Sequence, residues 1–258
     1  MDAYKMTLRL PVLTFHTLDD FSSVTSFPPK LFRFGLTLLH ENGYRTISLL
    51  EVADCLRMKK SFPEKSFVMT FDDGYETVYQ VAFPILQKYD MSATVFLTVG
   101  GEGTKKPEER LPPLEGRSML NWHEIEEMNQ WGIEFGAHTL THPDLTQLSR
   151  DQMEKEICDS KKIIEKRLGK TVFCFAYPYG RYNEHVRKLV QQHFTCASSD
   201  RLGFVTPHST PYTLERVDAY YLQSNPLFRL MLTRWFSGYI WACSIPRWIR
   251  RKVVNSLK

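Results

Sequence analysis

The sequence lacks the cysteine pattern of a disulfide-stabilised or zinc-stabilised protein. Its five cysteines are odd in number and widely spaced, and no two of them form a CxxC pair. We therefore expect reduced thiols, with neither a disulfide framework nor a structural zinc site. Low-complexity tracts and sequence repeats are also absent. The 258 residues, of which 43% are hydrophobic and 13% aromatic, suffice for one domain with a large core.

A secretory signal is missing as well. The first residues, MDAYKMTLRLPV, include an acidic residue at position 2, and they contain no apolar core of the roughly 7–15 residues that a signal peptide needs. From this we expect a cytoplasmic protein, which could associate peripherally with the inner face of the membrane.

Acidic residues are absent after Asp218, where seven basic residues follow: Arg229, Arg234, Arg247, Arg250, Arg251, Lys252 and Lys258. Subtracting their charge of +7 from the +4 of the whole chain leaves −3 for residues 1–218. Large apolar residues alternate with these bases, so the extension could form an interfacial helix pair on anionic lipid. Alternatively, its apolar residues could dock on the rest of the protein. The longest uncharged stretch, Trp235–Pro246, is too short to cross a bilayer, and no motif indicates a nucleic-acid partner.

Two adjacent carboxylates follow a short apolar run in FVMTFDDGY. The run Phe67–Phe71 is typical of a buried parallel strand, and Gly74 ends it. Asp72 and Asp73 would then lie at the carboxyl edge of a sheet, where α/β folds collect their ligands. Because two close carboxylates repel, a cation is expected to keep both ionised. The alternative is structural, with Asp73-Gly74 in a turn and Asp72 capping the next helix.

Two histidines occur in GIEFGAHTLTHPDL. A strand over residues 133–137 would end at His138, and His142 follows in a loop because Pro143 disfavours helical backbone before it. Two imidazoles and one carboxylate form a ligand set typical of a catalytic divalent metal. Asp73, His138 and His142 are therefore candidate ligands, although a loop histidine is often only a solvated or capping residue.

The segments TFDDGY, HTLTHPDL and AYPYGRYN, in this order, resemble the first three motifs of the polysaccharide deacetylases with a NodB-homology domain. The similarity runs from about Pro11 to about Tyr221. The resemblance implies an α/β fold, a distorted (β/α) barrel, in a single catalytic domain. We assign residues 1–222 to that domain and residues 223–258 to the basic aromatic extension.

The resemblance also implies roles for individual residues. The first Asp of the pair, here Asp72, is the general base in the family. The second Asp and the two histidines, here Asp73, His138 and His142, bind the metal, for which Zn²⁺ is expected and Co²⁺, Ni²⁺ or Fe²⁺ are alternatives. A backbone N–H of the third motif, here that of Tyr179, faces the oxyanion.

The sequence departs from the family pattern in the third motif, which usually begins with Arg. Ala176 occupies that position. Arg216, in TLERVDA, could supply the guanidinium from elsewhere, since its planar fork suits a carboxylate. An ordinary surface ion pair with Glu215 is the alternative for Arg216.

The late catalytic histidine of the family is also missing. His16 instead ends an apparent strand in VLTFHTLDD, which resembles the poly-N-acetylglucosamine deacetylase branch, where an N-terminal strand carries the general acid. We predict that role for His16. The alternative is an imidazole that merely packs at the edge of the core.

Together these features predict a metal-dependent hydrolase that removes N-acetyl groups from an amino sugar in a polysaccharide, oligosaccharide or lipid-linked glycan. The alternatives are a deformylase or O-deacetylase with the same site, and a catalytically silent glycan-binding or assembly protein. Tyr179 and Trp122 are candidates for stacking on sugar, and the loop 100–117 is expected to cover the mouth of the site.

Overall fold

The computed structural model describes residues 6–100 and 116–256, and it describes side chains for residues 7–100 and 116–246. The loop predicted over the site, residues 100–117, lies mostly outside the described residues. Ten strands are found in the described part: β1 (Met6–Thr7), β2 (Val12–Phe15), β3 (Arg45–Thr46), β4 (Phe62–Pro63), β5 (Ser66–Phe71), β6 (Thr94–Leu97), β7 (Glu134–Ala137), β8 (Cys174–Ala176), β9 (Cys196–Leu202) and β10 (Leu214–Asp218).

Seven of these strands close into a parallel barrel. Their order is β2-β10-β9-β8-β7-β6-β5, and a pairing between β5 and β2 completes the ring. Strand β3 joins the amino-terminal part of β5, while β1 and β4 form a separate antiparallel pair. The predicted α/β barrel is therefore confirmed.

Helices surround the barrel, and most of them connect successive strands. The α-helices are α1 (Pro29–Glu41), α2 (Leu49–Arg57), α3 (Phe83–Tyr89), α4 (Trp122–Trp131), α5 (Arg150–Glu154), α6 (Ser160–Leu168), α7 (Glu184–His193), α8 (Asn225–Arg229) and α9 (Phe236–Ser256). Two π-helical turns lie at Val78–Ala82 and Lys155–Asp159, directly before α3 and α6. Shorter 3₁₀ turns occupy Leu145–Gln147, Pro178–Gly180, Ala219–Leu222 and Leu230–Leu232.

Strands β2, β5 and β6 are mostly apolar because both of their faces are covered. All residues of β2, β5 and β6 are buried, as expected for parallel strands that face the barrel interior on one side and helices on the other. Since the seven barrel strands are parallel, their carboxyl ends share one rim. Residues that directly follow these strands are thereby brought close together.

One predicted strand boundary is wrong for a local reason. From the sequence, residues 46–49 are predicted to form a short strand and residues 50–58 a helix, but β3 ends at Thr46 and α2 begins at Leu49. Ser48 instead caps α2, because its hydroxyl accepts the Glu51 N–H and the Glu51 carboxylate accepts the Ser48 N–H. This capping box starts the helix where a strand was predicted.

The extension after residue 222 packs against the barrel in its first part. Phe228 is fully buried beside Gly35 of α1, where a β-carbon would overlap the phenyl ring. Phe236 and Ile240 of α9 are also buried. The Tyr44 hydroxyl donates a hydrogen bond to the Met231 carbonyl at 3.3 Å. Over the described ranges, no helix has the length and hydrophobicity that crossing a bilayer requires.

Candidate active site

The candidate residues converge at the carboxyl rim of the barrel. His16 follows β2, Asp72 and Asp73 follow β5, and His138 follows β7. Arg216 reaches the same place from within β10, the strand beside β2. Strands that are distant in sequence thus bring these polar residues together at the same rim.

Asp73, His138 and His142 form a cluster suited to a metal ion. The Oδ1 atom of Asp73 lies 3.5 Å from Nε2 of His138 and 3.5 Å from Nε2 of His142. Possible ligand atoms of the three side chains all lie within 4.8 Å of one another. Among the described residues, this buried Oδ1 has no hydrogen-bond partner. Leaving a buried carboxylate oxygen unsatisfied is costly, so the residues present fit a divalent cation.

His138 is oriented by the strand next to its own. Its Nδ1 atom lies 2.7 Å from the carbonyl oxygen of Ala176, and the ring is 2% exposed. Because a carbonyl only accepts hydrogen bonds, Nδ1 carries the proton and Nε2 presents its lone pair towards Asp73. Ala176, which stands where the family pattern has Arg, therefore contributes through its backbone.

His142 is held in the neutral state that a metal ligand requires. Burial lowers its pKa to about 4, and the neighbouring His138 adds to this effect. The imidazole packs edge-on against the rings of His138, at 4.8 Å between centroids, and of Tyr179, at 4.6 Å.

Left-handed backbone is concentrated around this cluster. Positive φ angles occur at Asp73 (74°), Thr139 (71°), His142 (58°) and Tyr179 (56°). Such conformations cost about 1–3 kcal/mol each for residues other than glycine, and they persist where surrounding contacts enforce them. One such contact is the hydrogen bond from the His142 N–H to the Thr139 hydroxyl at 3.0 Å.

Asp72 is paired with Arg216 inside the protein. The two guanidinium NH groups donate to the two carboxylate oxygens at 2.7 Å each, and both side chains are buried. The Arg216 Nε also donates to the Ser199 carbonyl at 2.8 Å. Burial alone would raise the pKa of Asp72, but the charge and hydrogen bonds of Arg216 outweigh it and hold that pKa well below its usual range. Arg216 thus does not form a surface pair with Glu215.

His16 borders the same space. Its Nε2 atom lies 4.0 Å from Oδ2 of Asp72, and its side chain is 26% exposed. The adjoining loop is anchored to the segment after β5, because the Thr77 hydroxyl accepts the Leu18 N–H at 3.0 Å. The half-buried imidazole therefore borders both the interior of the site and solvent.

The two aromatic candidates differ in their surroundings. Tyr179 is 57% exposed beside His142, so its ring is available to a ligand. Trp122 is only 4% exposed and belongs to the hydrophobic core. The interpretation of Trp122 as a sugar-stacking residue is therefore wrong, since its ring packs in the core and is not accessible to a sugar.

Two residues near the site were missed by the sequence analysis. Thr139 braces His142, as described above, and Glu156 accepts hydrogen bonds from the loop between the two histidines. Thr139 lies within the HTLTH segment. Its hydroxyl could therefore have been predicted from the sequence to bond the backbone of that segment. Glu156 carries no such signal, because the sequence predicts a long helix over residues 151–168 whose charged residues face solvent.

Comparisons with known proteins test the family resemblance. A family model described as polysaccharide deacetylase matches residues 59–194, a span that contains Asp72, Asp73 and both histidines but not His16 or Arg216. The Bacillus subtilis protein YxkH is 34% identical over 184 residues, which are 71% of this chain and 61% of YxkH. A poly-beta-1,6-N-acetyl-D-glucosamine N-deacetylase of Staphylococcus aureus is 30% identical over 194 residues, covering 69% of this chain and 61% of that protein.

A solved structure extends the similarity to the fold. The Streptococcus pyogenes deacetylase PplD, in complex with acetate, superposes with a TM-score of 0.72 at 28% identity, over 83% of this chain and 93% of PplD. The chain spans about three fifths of the length of the two curated relatives. Since the family model covers just over half of the chain, this protein belongs to the polysaccharide deacetylase family.

Proposed function

We propose that this chain is a metal-dependent hydrolase that removes N-acetyl groups from an amino sugar within a glycan. The observation that carries the proposal is the placement of Asp72, ionised by Arg216, next to the Asp73–His138–His142 cluster. The name of the Staphylococcus aureus relative supports an N-acetylated glucosamine polymer as the substrate class. The acetate in the Streptococcus pyogenes structure supports an acetyl group as the one released.

Asp73, His138 and His142 would hold the metal. One carboxylate oxygen and two imidazole nitrogens suit Zn²⁺, which we propose, and also Co²⁺, Ni²⁺ or Fe²⁺. When bound, such an ion polarises the acyl carbonyl and lowers the pKa of water. The burial that keeps His142 neutral also favours binding, because no proton must leave that ring first.

Asp72 would act as general base and take a proton from the attacking water. Arg216 keeps its carboxylate ionised and fixes its direction through two hydrogen bonds. A carboxylate with such a low pKa is a weak base towards ordinary water. Catalysis is therefore expected to require both Asp72 and the metal ligands.

His16 would protonate the departing amine as the carbon–nitrogen bond breaks. Its Nε2 atom lies near the carboxylate of Asp72. The proposed general acid, His16, and the proposed general base, Asp72, are therefore close to each other. Imidazole is the side chain that most often acts as a general acid or base in enzymes. The backbone N–H of Tyr179 is the proposed oxyanion donor, and its exposed ring is the proposed contact for a sugar.

The same site would also accept a formyl amide or an O-acetyl ester. A silent glycan-binding protein is less well supported. Asp72 and Arg216 are both buried and charged, and burying an ion pair gains little stability. A protein that only binds glycans has no evident need for this pair.

We further propose that residues 223–258 bring the catalytic domain, residues 1–222, to an anionic membrane surface. While Phe236 and Ile240 face the barrel, Trp235 is 64% exposed and Trp241 is 68% exposed. The Arg234 guanidinium lies 4.8 Å from the centroid of the Trp235 ring. Exposed tryptophan beside arginine, in a stretch without acidic residues, suits a lipid interface. Docking on the barrel and contact with lipid are therefore compatible, because they use different faces.

The catalytic proposal predicts different losses for the two aspartates. Asp72→Asn is expected to lower acetate release from N-acetylglucosamine oligomers by about 100- to 10,000-fold, while the purified protein keeps its metal. Asp73→Asn is expected to lose the metal as well as the activity. Acetate release, metal content and thermal unfolding are measured together for both variants. Loss of metal in Asp72→Asn would contradict the assignment of base and ligand, and acetate release that is unaffected by either change would contradict the proposal.

The pairing of Asp72 with Arg216 predicts a pH-dependent stability difference. In the wild type, the pKa of Asp72 lies below its unfolded value of about 3.9. The stabilisation is therefore present above about pH 4 and is lost as the pH falls. In Arg216→Met, the main influence that opposes burial is removed, so the pKa of Asp72 is expected to rise and ionisation to destabilise that variant as the pH rises.

Urea unfolding of the metal-free proteins tests this expectation. Arg216→Met should lose about 3–5 kcal/mol of unfolding free energy at about pH 8. The loss should be smaller at about pH 5, where Asp72 in the variant is more often protonated. An equal loss at both pH values would show that Arg216 does not control the charge of Asp72.

The membrane proposal predicts salt-sensitive binding to vesicles. Sedimentation with vesicles that contain phosphatidylserine should decrease steeply as salt is raised from about 0.1 M to about 1 M, because salt screens the arginines. Replacing Trp235 and Trp241 by Ala should weaken the interaction. Met58→Ala is the matched control. Met58 is also an exposed hydrophobic residue, at 54%, but it lies at the carboxyl end of α2 and not in the extension. Absent or salt-independent binding would count against the proposal.

A further inference from the structure

The loop between the two candidate histidines adopts a conformation that needs support. Thr139 and His142 both have positive φ angles, which residues with a β-carbon rarely adopt without enforcing contacts. The position of His142 relative to His138 depends on this loop, because only residues 139–141 separate them. Whatever holds the loop therefore also sets the distance between the two imidazoles.

Glu156 holds the loop from outside the rim. Its Oε2 atom accepts the Leu140 N–H at 2.8 Å and the Thr141 N–H at 3.0 Å, and its Oε1 atom accepts the Thr141 hydroxyl at 2.6 Å. Hydrogen bonds to an ionised carboxylate are roughly twice as strong as those between neutral groups. One half-buried side chain thus restrains two consecutive residues of the loop.

A π-helical turn carries Glu156 to this position. The turn Lys155–Asp159 directly joins helices α5 and α6, so the three form one continuous helical segment. An i→i+5 hydrogen bond accommodates one extra residue, which changes the direction in which side chains of the turn point. Such turns are frequent at functional sites. In a regular helix with this sequence, Glu156 would not have the same register relative to the loop.

We propose that Glu156 is a positioning residue for the metal site, which holds the Leu140–Thr141 backbone so that His138 and His142 both present Nε2 to Asp73. The inference rests on the proposed function, because the metal is the ligand towards which these atoms are oriented. Glu156 does not touch the metal or the substrate. It acts through the loop alone.

Zinc titration of chelator-treated protein tests the role directly. Glu156→Ala is expected to weaken zinc affinity by about 10- to 100-fold, as loss of outer contacts does at other metal sites. Glu156→Gln keeps one oxygen that can accept both N–H groups, so it should recover most of the affinity. Thermal unfolding of the metal-free variants is measured alongside, because a purely structural residue would change that transition and not the zinc affinity.

Glu165→Ala provides the matched control. Glu165 lies on α6 and its Oε1 atom accepts the Val172 N–H at 2.9 Å, so it also braces a loop from the same helical run, but away from the site. This variant should lose thermal stability and keep its zinc affinity. Unchanged affinity in Glu156→Ala, or an equal loss in both Ala variants, would overturn the inference.

Two outcomes separate this inference from the proposed function. If the wild type binds zinc and releases acetate while Glu156→Ala is indistinguishable from it, only the role of Glu156 fails. If the wild type binds no zinc, the metal-dependent function fails and the positioning role is overturned with it.

Discussion

The constraint on which the site depends is that two neighbouring carboxylates are buried at the end of one strand. Each needs a favourable partner, because like charges repel and burial disfavours the ionised form of a carboxyl group. The protein separates their environments at the positive φ of Asp73. Asp72 meets the guanidinium of Arg216, and Asp73 faces two neutral imidazoles. One carboxylate is thus satisfied within the protein, while the other retains an oxygen without a hydrogen-bond partner among the described residues.

The barrel makes this separation possible. Arg216 comes from β10 and the carboxylates follow β5, yet both strands pair with β2, so their ends are close. The strained backbone around the cluster costs free energy, which the packing of the apolar core offsets. The polar residues at the rim therefore depend on the packing of the buried strands that carry them.

Much of the fold and part of the site could be predicted from local sequence. Short, mainly apolar runs indicate buried parallel strands, and residues such as Asp72 and His138 are identified because they directly follow such runs. Contacts distant in sequence could not be predicted in this way. Nothing local distinguishes the buried Arg216 from a surface arginine, and the burial of Trp122 depends on how α4 packs. The π turn that directs Glu156 depends on tertiary contacts that override the regular helical pattern.

X-ray absorption spectroscopy of the zinc-loaded protein tests the central claim most directly, because it reports the atoms bound to the metal. The account predicts one stoichiometric zinc with two imidazole ligands and no sulfur ligand, and a loss of one imidazole contribution in His142→Ala. Sulfur in the coordination shell, or a spectrum that His142→Ala leaves unchanged, would contradict a site formed by Asp73, His138 and His142.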